Sequence, residues 1–197
     1  MIIGITGGTG CGKTTLLQEL KKLGALVLDC DAIYHRLLQE NPQLLADIES
    51  RFPGTVVEGT LQRKALGAIV FTDKTALADL NRITHRAIKA EVLRQLEGQT
   101  LVAIDAIALF ESGLAELCDV TVAVTAPTEQ RIRRLMEREE ITHQYAQSRI
   151  DAQPDNDWFR SKCNYTLEND GTLASFQGKC LAFFEESGII KAAQNPK

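Results

Sequence analysis

The stretch Gly7-Gly8-Thr9-Gly10-Cys11-Gly12-Lys13-Thr14 matches the pattern G-x-x-x-x-G-K-[ST] without a gap. An apolar run, Ile2–Thr6, precedes it, and an amphipathic pattern over residues 16–23 follows, so the context is strand, loop and helix. Glycines let the backbone wrap round an anion with successive N–H groups pointing inward, and the following helix adds the positive end of its dipole. The stretch therefore predicts a loop that binds the phosphate groups of a nucleoside triphosphate.

Two side chains of this loop carry chemistry of their own. Lys13 can place a positive charge on the β- and γ-phosphates, and the hydroxyl of Thr14 can ligate Mg²⁺. A GTPase would require a guanine-reading N-K-x-D element, which the sequence lacks. We therefore expect ATP and Mg²⁺ as the cofactors, with the loop residues Gly8, Thr9, Gly10, Cys11, Gly12, Lys13 and Thr14 binding the nucleotide.

Short apolar runs alternate with longer helical patterns along the chain, which is typical of an α/β fold with a parallel sheet. The runs are Ile2–Thr6, residues 25–29, residues 101–105, Val120–Thr125 and Tyr165–Glu168. With the phosphate loop after the first run, they predict a P-loop NTPase fold: a five-stranded parallel sheet flanked by helices. A chain of 197 residues is comfortable for one domain, so we expect a single domain over 1–197.

About 70 residues separate the second and third runs, far more than one crossover helix requires. Helical patterns cover residues 32–39, Pro42–Arg51, 62–70 and 74–97. An insertion after the carboxyl end of a strand commonly carries substrate contacts. We therefore expect a helical substrate region over about 31–97, with the core over about 1–30, 98–137 and 163–190.

Composition and charge exclude several kinds of partner. Lys and Arg number 22 and Asp and Glu 26, a net charge of −4, so neither nucleic acid nor an anionic membrane is an expected partner. The start of the chain has no signal-peptide pattern, and the longest apolar stretch, residues 101–110, is interrupted by Asp105 and too short to span a bilayer. The five cysteines include no C-x-x-C pair, which favours buried thiols in a reducing cytoplasm. The last residues, 194–197, are expected to fray.

Carboxylates stand at the ends of two predicted strands. Asp29 ends the second strand and Asp31 lies two residues later, and both would face the crevice at the carboxyl edge of the sheet if the extended chain continued. An acid beside the γ-phosphate can accept the proton of an incoming hydroxyl, but either residue could instead cap the helix that follows. Asp105 ends the third strand, where it could hold Mg²⁺ or be a generic strand-end acid.

Several segments together resemble the dephospho-coenzyme A kinase family, from Ile3 to about Gly171. The loop through Thr15 is similar to that family's phosphate loop, and the family's later motifs also occur in this sequence in the same order. These segments are Leu23-Gly24 with Asp29-Cys30-Asp31, Gly59-Thr60-Leu61-Gln62-Arg63, Leu80 to Ile88 with His85, Leu109-Phe110-Glu111, Arg149-Ile150 with Gln153, and Asn169. Arg86 replaces the family's proline after His85, and Ile107-Ala108 replace the Pro-Leu that precedes its L-F-E segment.

The resemblance implies transfer of the γ-phosphoryl group of ATP to the ribose 3′-hydroxyl of dephospho-coenzyme A. It implies Asp31 as the general base, Arg63 and His85 on the coenzyme A side of the site, and Thr15 and Arg138 among the ATP-binding residues. It also implies a lid over about 138–162. From the residues alone, His85 could equally be a core histidine, Arg63 a solvated charge, and the arginines before Arg138 a solvated helix face.

Two other functions are compatible with the phosphate loop. One is another small P-loop kinase that acts on a nucleoside, a nucleotide or a small alcohol. The other is an ATP-binding switch that phosphorylates no small molecule, in which Asp31 would have no role. We expect a cytoplasmic enzyme that is a monomer or a weak homo-oligomer.

Overall fold

The structure, a computed structural model, describes residues 1–194. Its strands are β1 (Ile2–Thr6), β2 (Leu26–Asp29), β3 (Val56–Val57), β4 (Thr60–Leu61), β5 (Val102–Asp105), β6 (Val120–Thr125) and β7 (Tyr165–Glu168). Five of them form one sheet in the order β2-β5-β1-β6-β7, while β3 and β4 form a separate antiparallel hairpin. In the five-stranded sheet β1 pairs in parallel with β5 and β6, and β6 pairs in parallel with β7. The predicted five-stranded parallel sheet is confirmed.

Ten α-helices and one 3₁₀ helix occur in the described part of the chain. The α-helices are α1 (Lys13–Lys22), α2 (Cys30–Glu40), α3 (Pro42–Arg51), α4 (Arg63–Val70), α5 (Lys74–Leu96), α6 (Thr128–Glu139), α7 (His143–Asp151), α8 (Asn156–Lys162), α9 (Leu173–Glu186) and α10 (Ile189–Gln194). The 3₁₀ helix is Ala115–Leu117.

The chain divides into two compact units. The first contains Met1–Leu28, Gly98–Leu109 and the described part of Ala115–Lys197, and the second contains Asp29–Glu97 and Phe110–Leu114. The first unit holds the phosphate loop and the second holds the helices of the long insertion. The functional labels of substrate region and lid remain predictions.

In the first unit, the central strands are buried on both faces, which explains why their sequences are apolar throughout rather than alternating. Every residue of β6 is buried, as are the last four residues of β1. Helices α1 and α9 pack against this sheet through buried leucine and phenylalanine side chains, among them Leu16, Leu20, Phe176 and Phe184. The burial fixes β1, and with it the start of the phosphate loop, in the middle of the sheet.

In the second unit, α5 is the element against which α2, α3 and α4 all pack. Its buried positions, including Ile83, Ile88 and Val92, follow the helical period that its sequence shows. Asn41 caps α3 by accepting a hydrogen bond from the backbone N–H of Leu44, with Pro42 in the first turn. The helical insertion was therefore readable from its pattern and its caps.

Some boundaries and elements differ from the prediction. Helix α1 starts at Lys13, three residues before the predicted start, because the helix begins directly at the phosphate loop. The polar stretch after α7 contains a further helix, α8, whose start is marked by Asp155 accepting from the Trp158 N–H. The expected frayed end concerns Gln194, which ends α10, and residues 195–197, which lie outside the described residues.

Among the described helices none combines the length and the apolar character that crossing a membrane would require.

Candidate active site

The phosphate loop requires glycine at Gly12, where it joins α1. Gly12 has a φ of 102°, in the left-handed region, and a Cβ there would lie 2.2 Å from Nδ2 of Asn169. The same Nδ2 donates a hydrogen bond to the Cys11 carbonyl at 2.9 Å. Because Gly12 offers no capping side chain, the first N–H groups of α1 are left for an anion, as in other phosphate loops.

Lys13 lies across the loop that precedes it. Its Nζ donates a hydrogen bond to the Gly7 carbonyl at 2.9 Å, so the ammonium group is held over the loop backbone. Thr14 is exposed in the first turn of α1. Cys11 is buried, and burial raises the pKa of its thiol, so this cysteine serves as a small apolar side chain rather than as a nucleophile.

Two arginines of α6 donate hydrogen bonds to backbone carbonyls of the phosphate loop. Arg134 Nη1 donates to the Gly10 carbonyl at 3.2 Å, and its Nη2 donates to Oδ1 of Asn169 at 3.2 Å. Arg131 is 2% exposed and its Nε donates to the Thr9 carbonyl at 2.9 Å. Of the three arginines before Arg138, only Arg133 lies on a solvated face, with a side chain that is 69% exposed.

Asp105 ends β5 next to the strand that leads into the phosphate loop. In the parallel pairing of these strands, Asp105 lies opposite Ile5. It is also near enough to the loop to raise the pKa of the Cys11 thiol, although burial is the larger cause. The described residues contain no group of three or more His, Cys, Asp or Glu side chains that could hold a metal by themselves. Thr14 and Asp105 offer the hard oxygen donors that Mg²⁺ prefers when phosphate and water complete its shell.

A single carboxylate gathers two arginines at the start of the predicted lid. Glu139, the last residue of α6, accepts hydrogen bonds from Arg138 and from Arg149 of α7. The Arg138 guanidinium first, and then that of Arg149, lower the pKa of Glu139. Both cations are therefore presented at one place, close to the junction of α6 and α7.

The two acids at the end of β2 and just after it have different positions in the second unit. Asp29 is the N-cap of α2, because its Oδ1 accepts a hydrogen bond from the Ala32 N–H at 3.0 Å. Asp31 lies inside the first turn of the helix and is exposed. The condition under which both acids would face the same way is not met, because the chain enters the helix at Cys30. Capping thus accounts for Asp29 and does not account for Asp31.

A small cavity of about 350 Å³ adjoins the face of α2 that carries Asp31. His35, four residues after Asp31 and on the same helical face, lines this cavity together with Arg63 of α4. Arg63 Nη2 and His35 Nδ1 are 3.1 Å apart, and the guanidinium is the donor. The β3–β4 hairpin contributes Gly59 and Leu61. Basic, aromatic and apolar groups therefore meet at one opening of the second unit.

His85 occupies the middle of α5, half-buried. Burial lowers its pKa, and a hydrogen bond with the backbone of Glu111 acts in the opposite direction. It is therefore neither a fully enclosed core histidine nor a solvated one.

Comparison with known proteins identifies the family. The family profile described as "Dephospho-CoA kinase" matches residues 1–175. The chain belongs to the dephospho-CoA kinase family.

Relatives of the dephospho-CoA kinase family resemble the chain over almost its whole length. Dephospho-CoA kinase of Thermobifida fusca is 33% identical over 189 residues, 93% of this chain and 94% of that protein. A crystal structure from Thermus thermophilus has 34% identity and a TM-score of 0.79, and covers 94% of this chain and 97% of its own. The structure of dephospho-CoA kinase from Campylobacter jejuni has 29% identity and a TM-score of 0.65, with 94% and 96% covered. The predicted family and kinase fold are confirmed.

The candidate site residues that the resemblance to the dephospho-CoA kinase family implies for this chain are divided between the two units. The loop residues from Gly8 to Thr15, Asp105 and Arg138 lie in the first, whereas Asp31, Arg63 and His85 lie in the second. Sequence reasoning did not single out Arg131, Arg134 or His35. Because α6 is strongly amphipathic with buried arginine on its apolar face, a helical wheel would have separated Arg131 from Arg133.

Proposed function

We propose that this protein transfers the γ-phosphoryl group of ATP to the ribose 3′-hydroxyl of dephospho-coenzyme A, giving coenzyme A and ADP. The observation that carries the proposal is the complete phosphate loop at the start of α1, in a chain whose family profile spans residues 1–175. This reaction is the final step of coenzyme A biosynthesis. The enzyme is accordingly a phosphotransferase with an alcohol group as acceptor.

The phosphate loop and the arginines supply the ATP side of the proposed site. Phosphoryl transfer passes through a loose transition state, so the protein acts mainly by positioning and by neutralising charge. Lys13 exchanges its hydrogen bond with the Gly7 carbonyl for contact with the β- and γ-phosphates. Arg138, together with Arg149, approaches the phosphates from the predicted lid once ATP oxygens compete with Glu139 for these guanidinium groups.

Asp31 is the proposed general base. Its carboxylate is exposed in the first turn of α2 and is not engaged in capping, since Asp29 performs that task. It can therefore accept the proton of the 3′-hydroxyl and align its oxygen for attack. Arg63 and His85 are proposed to bind the acceptor, and the cavity shared by Arg63 and His35 gives the acceptor's anionic groups a basic surface.

Mg²⁺ is proposed to bind between the nucleotide and the oxygens of Thr14 and Asp105. When bound, it neutralises charge on the β- and γ-phosphates. Thr14 would be a direct ligand, and Asp105 would hold the ion either directly or through water.

The proposal is tested by measuring ADP release with MgATP and a set of acceptors. We expect release that depends on dephospho-coenzyme A, with coenzyme A as the product in mass spectrometry. Adenosine, AMP and a small alcohol serve as matched acceptors, because another P-loop kinase would prefer one of them. Slow ADP release that no acceptor accelerates would identify an ATP-binding switch and contradict the proposal.

We also propose a cytoplasmic location and a monomeric or weakly oligomeric state. None of the five cysteines is recorded in a disulfide in residues 1–194, which fits a reducing compartment. Light scattering across a range of protein concentrations measures the oligomeric state directly.

A further inference from the structure

Arg131 is a buried cation whose side-chain hydrogen bonds are both to neutral groups. Its side chain comes from α6, and the residue is 2% exposed. Nε donates to the Thr9 carbonyl at 2.9 Å, and Nη2 donates to Oε1 of Gln153 at 3.3 Å. No acidic side chain of residues 1–194 forms an ion pair with this guanidinium. Burial lowers the pKa of Arg131, as expected for a charge without a counter-ion.

The guanidinium lies directly against the backbone of the phosphate loop. A Cβ atom on Gly8 would lie 2.2 Å from Arg131 Nη2, so the loop approaches the cation as closely as only glycine allows. Gln153 holds the preceding peptide, because its Oε1 accepts a hydrogen bond from the Thr9 N–H at 2.8 Å. The carbonyl and the N–H of Thr9 are therefore both held by side chains that also contact each other.

Burying an unpaired charge is unfavourable unless an anion compensates for it. The neighbouring loop is where the phosphates of ATP are proposed to bind, and Arg131 contacts its backbone at Gly8 and Thr9. We propose that Arg131 is a positioning residue for ATP: with Gln153 it fixes the backbone of Thr9 through the carbonyl and the N–H of that residue, and it places a positive charge beside the phosphate loop that the nucleotide phosphates neutralise. This inference rests on the proposed function.

Gln153 gives the arrangement a second consequence. It lies in the connection between α7 and α8, within the predicted lid, and it reaches the loop that binds phosphate. ATP binding that shifts the backbone of Thr9 therefore also shifts Gln153, and with it the connection between α7 and α8.

Three variants separate charge, hydrogen bonding and burial. Arg131→Gln removes the charge and keeps a hydrogen-bonding amide, whereas Arg131→Lys keeps the charge without the planar fork. Arg133→Gln is the matched control, because it removes the same charge from the exposed face of the same helix. For each protein we would measure the Kd of magnesium AMP-PNP by calorimetry, the Tm with and without this analogue, and KM and kcat for ATP and dephospho-coenzyme A.

We expect Arg131→Gln to raise the Kd of the analogue and the KM of ATP on the order of tenfold, the effect of losing one nearby charge at an intermediate dielectric. The KM of dephospho-coenzyme A should stay within about twofold, since Arg131 belongs to the nucleotide side. The Tm without nucleotide should stay the same or rise, because the unpaired charge is gone, while the shift caused by the analogue shrinks. Arg131→Lys should keep the Kd within about threefold, and Arg133→Gln should match the wild type.

The opposite pattern would overturn the inference. If Arg131→Gln lowers the Tm or fails to fold while Arg131→Lys binds the analogue no better than the glutamine variant, the arginine is a structural brace. An unchanged Kd in a folded Arg131→Gln protein has the same meaning and leaves the proposed function intact. Wild-type protein that does not bind the analogue would overturn both proposals together.

Discussion

Replacing Asp31 by asparagine, with Asp29→Asn as its control, separates catalysis from helix capping. The two acids are two residues apart, yet Asp29 accepts the capping hydrogen bond of α2 and Asp31 does not. Asparagine caps a helix about as well as aspartate, so Asp29→Asn should change the free energy of unfolding by less than about 0.5 kcal/mol. Asp31→Asn loses only the interaction of a carboxylate with the first turn, about 0.3–1 kcal/mol.

The effects on turnover should differ far more than those on stability. A general base contributes typically about 10²–10⁴-fold to the rate, which corresponds to roughly 3–5 kcal/mol of activation free energy. We therefore expect kcat with dephospho-coenzyme A to fall by that factor in Asp31→Asn. In the same variant the Tm should fall by no more than about 4 °C. Nucleotide affinity should hold, because the phosphate loop lies on other elements.

The assay combines steady-state kinetics, rapid-quench measurement of the chemical step and calorimetric titration with AMP-PNP. The rapid-quench measurement ensures that a change in chemistry is visible even if product release limits kcat. A folded Asp31→Asn protein that keeps more than about a third of the wild-type chemical rate would refute the catalytic assignment. An equal loss in Asp29→Asn would show that the start of α2, rather than the Asp31 carboxylate, matters.

Four further predictions concern other parts of the molecule. Lys13→Ala should abolish turnover with a nearly unchanged Tm, since the lysine makes one hydrogen bond to the loop; near-normal kcat would exclude the phosphate-binding role. Asn169→Ala should lower the free energy of unfolding by about 2–3 kcal/mol and raise the KM of ATP, because the buried hydrogen bond to the Cys11 carbonyl and the hydrogen bond from Arg134 are lost; a urea titration and initial rates measure both. Residues 138–162 should exchange amide hydrogen more slowly with AMP-PNP and dephospho-coenzyme A present, and unchanged exchange would contradict a lid. The pKa of Glu91 is lowered to about 2, chiefly by Arg94, so above its unfolded pKa of about 4.5 the ionised Glu91 should stabilise the protein by no more than about 2 kcal/mol. Urea titrations should show that this contribution fades as the pH falls from 4.5 towards 2. Glu91→Gln should remove that dependence on acid pH.

The elements that could be predicted from the sequence are those in which local pattern and burial agree. The central strands β1, β5 and β6 are apolar because both of their faces are covered. Helix α3 carries its own cap and proline, so its bounds were predicted without error. Helix α8 was not predicted, because seven residues with one buried position show no helical period. The hairpin of β3 and β4 has two residues in each strand, which is too short for alternation to show.

The candidate site was predictable where one short segment contains all its parts. The phosphate loop is such a segment, whereas its support comes from Arg131, Gln153 and Asn169, which are more than 100 residues away along the chain. No periodicity or spacing brings such residues together before the sheet is assembled. The place of Asp31 in the first turn of α2 could not be predicted for a related reason: a strand pattern does not show at which residue the chain turns into a helix.

The place of β1 in the sheet has a consequence for synthesis of the protein on the ribosome. The phosphate loop is translated before β5, β6 and Asn169, yet β1 pairs with β5 and β6, and Asn169 binds the carbonyl of Cys11 in the loop. Pairings of such large sequence separation form late and slowly. We therefore expect nascent chains that stop before residue 169 to retain no nucleotide on an ATP-agarose column. The capacity to bind ATP would then arise late in translation, and it would indicate that the five-stranded sheet has formed.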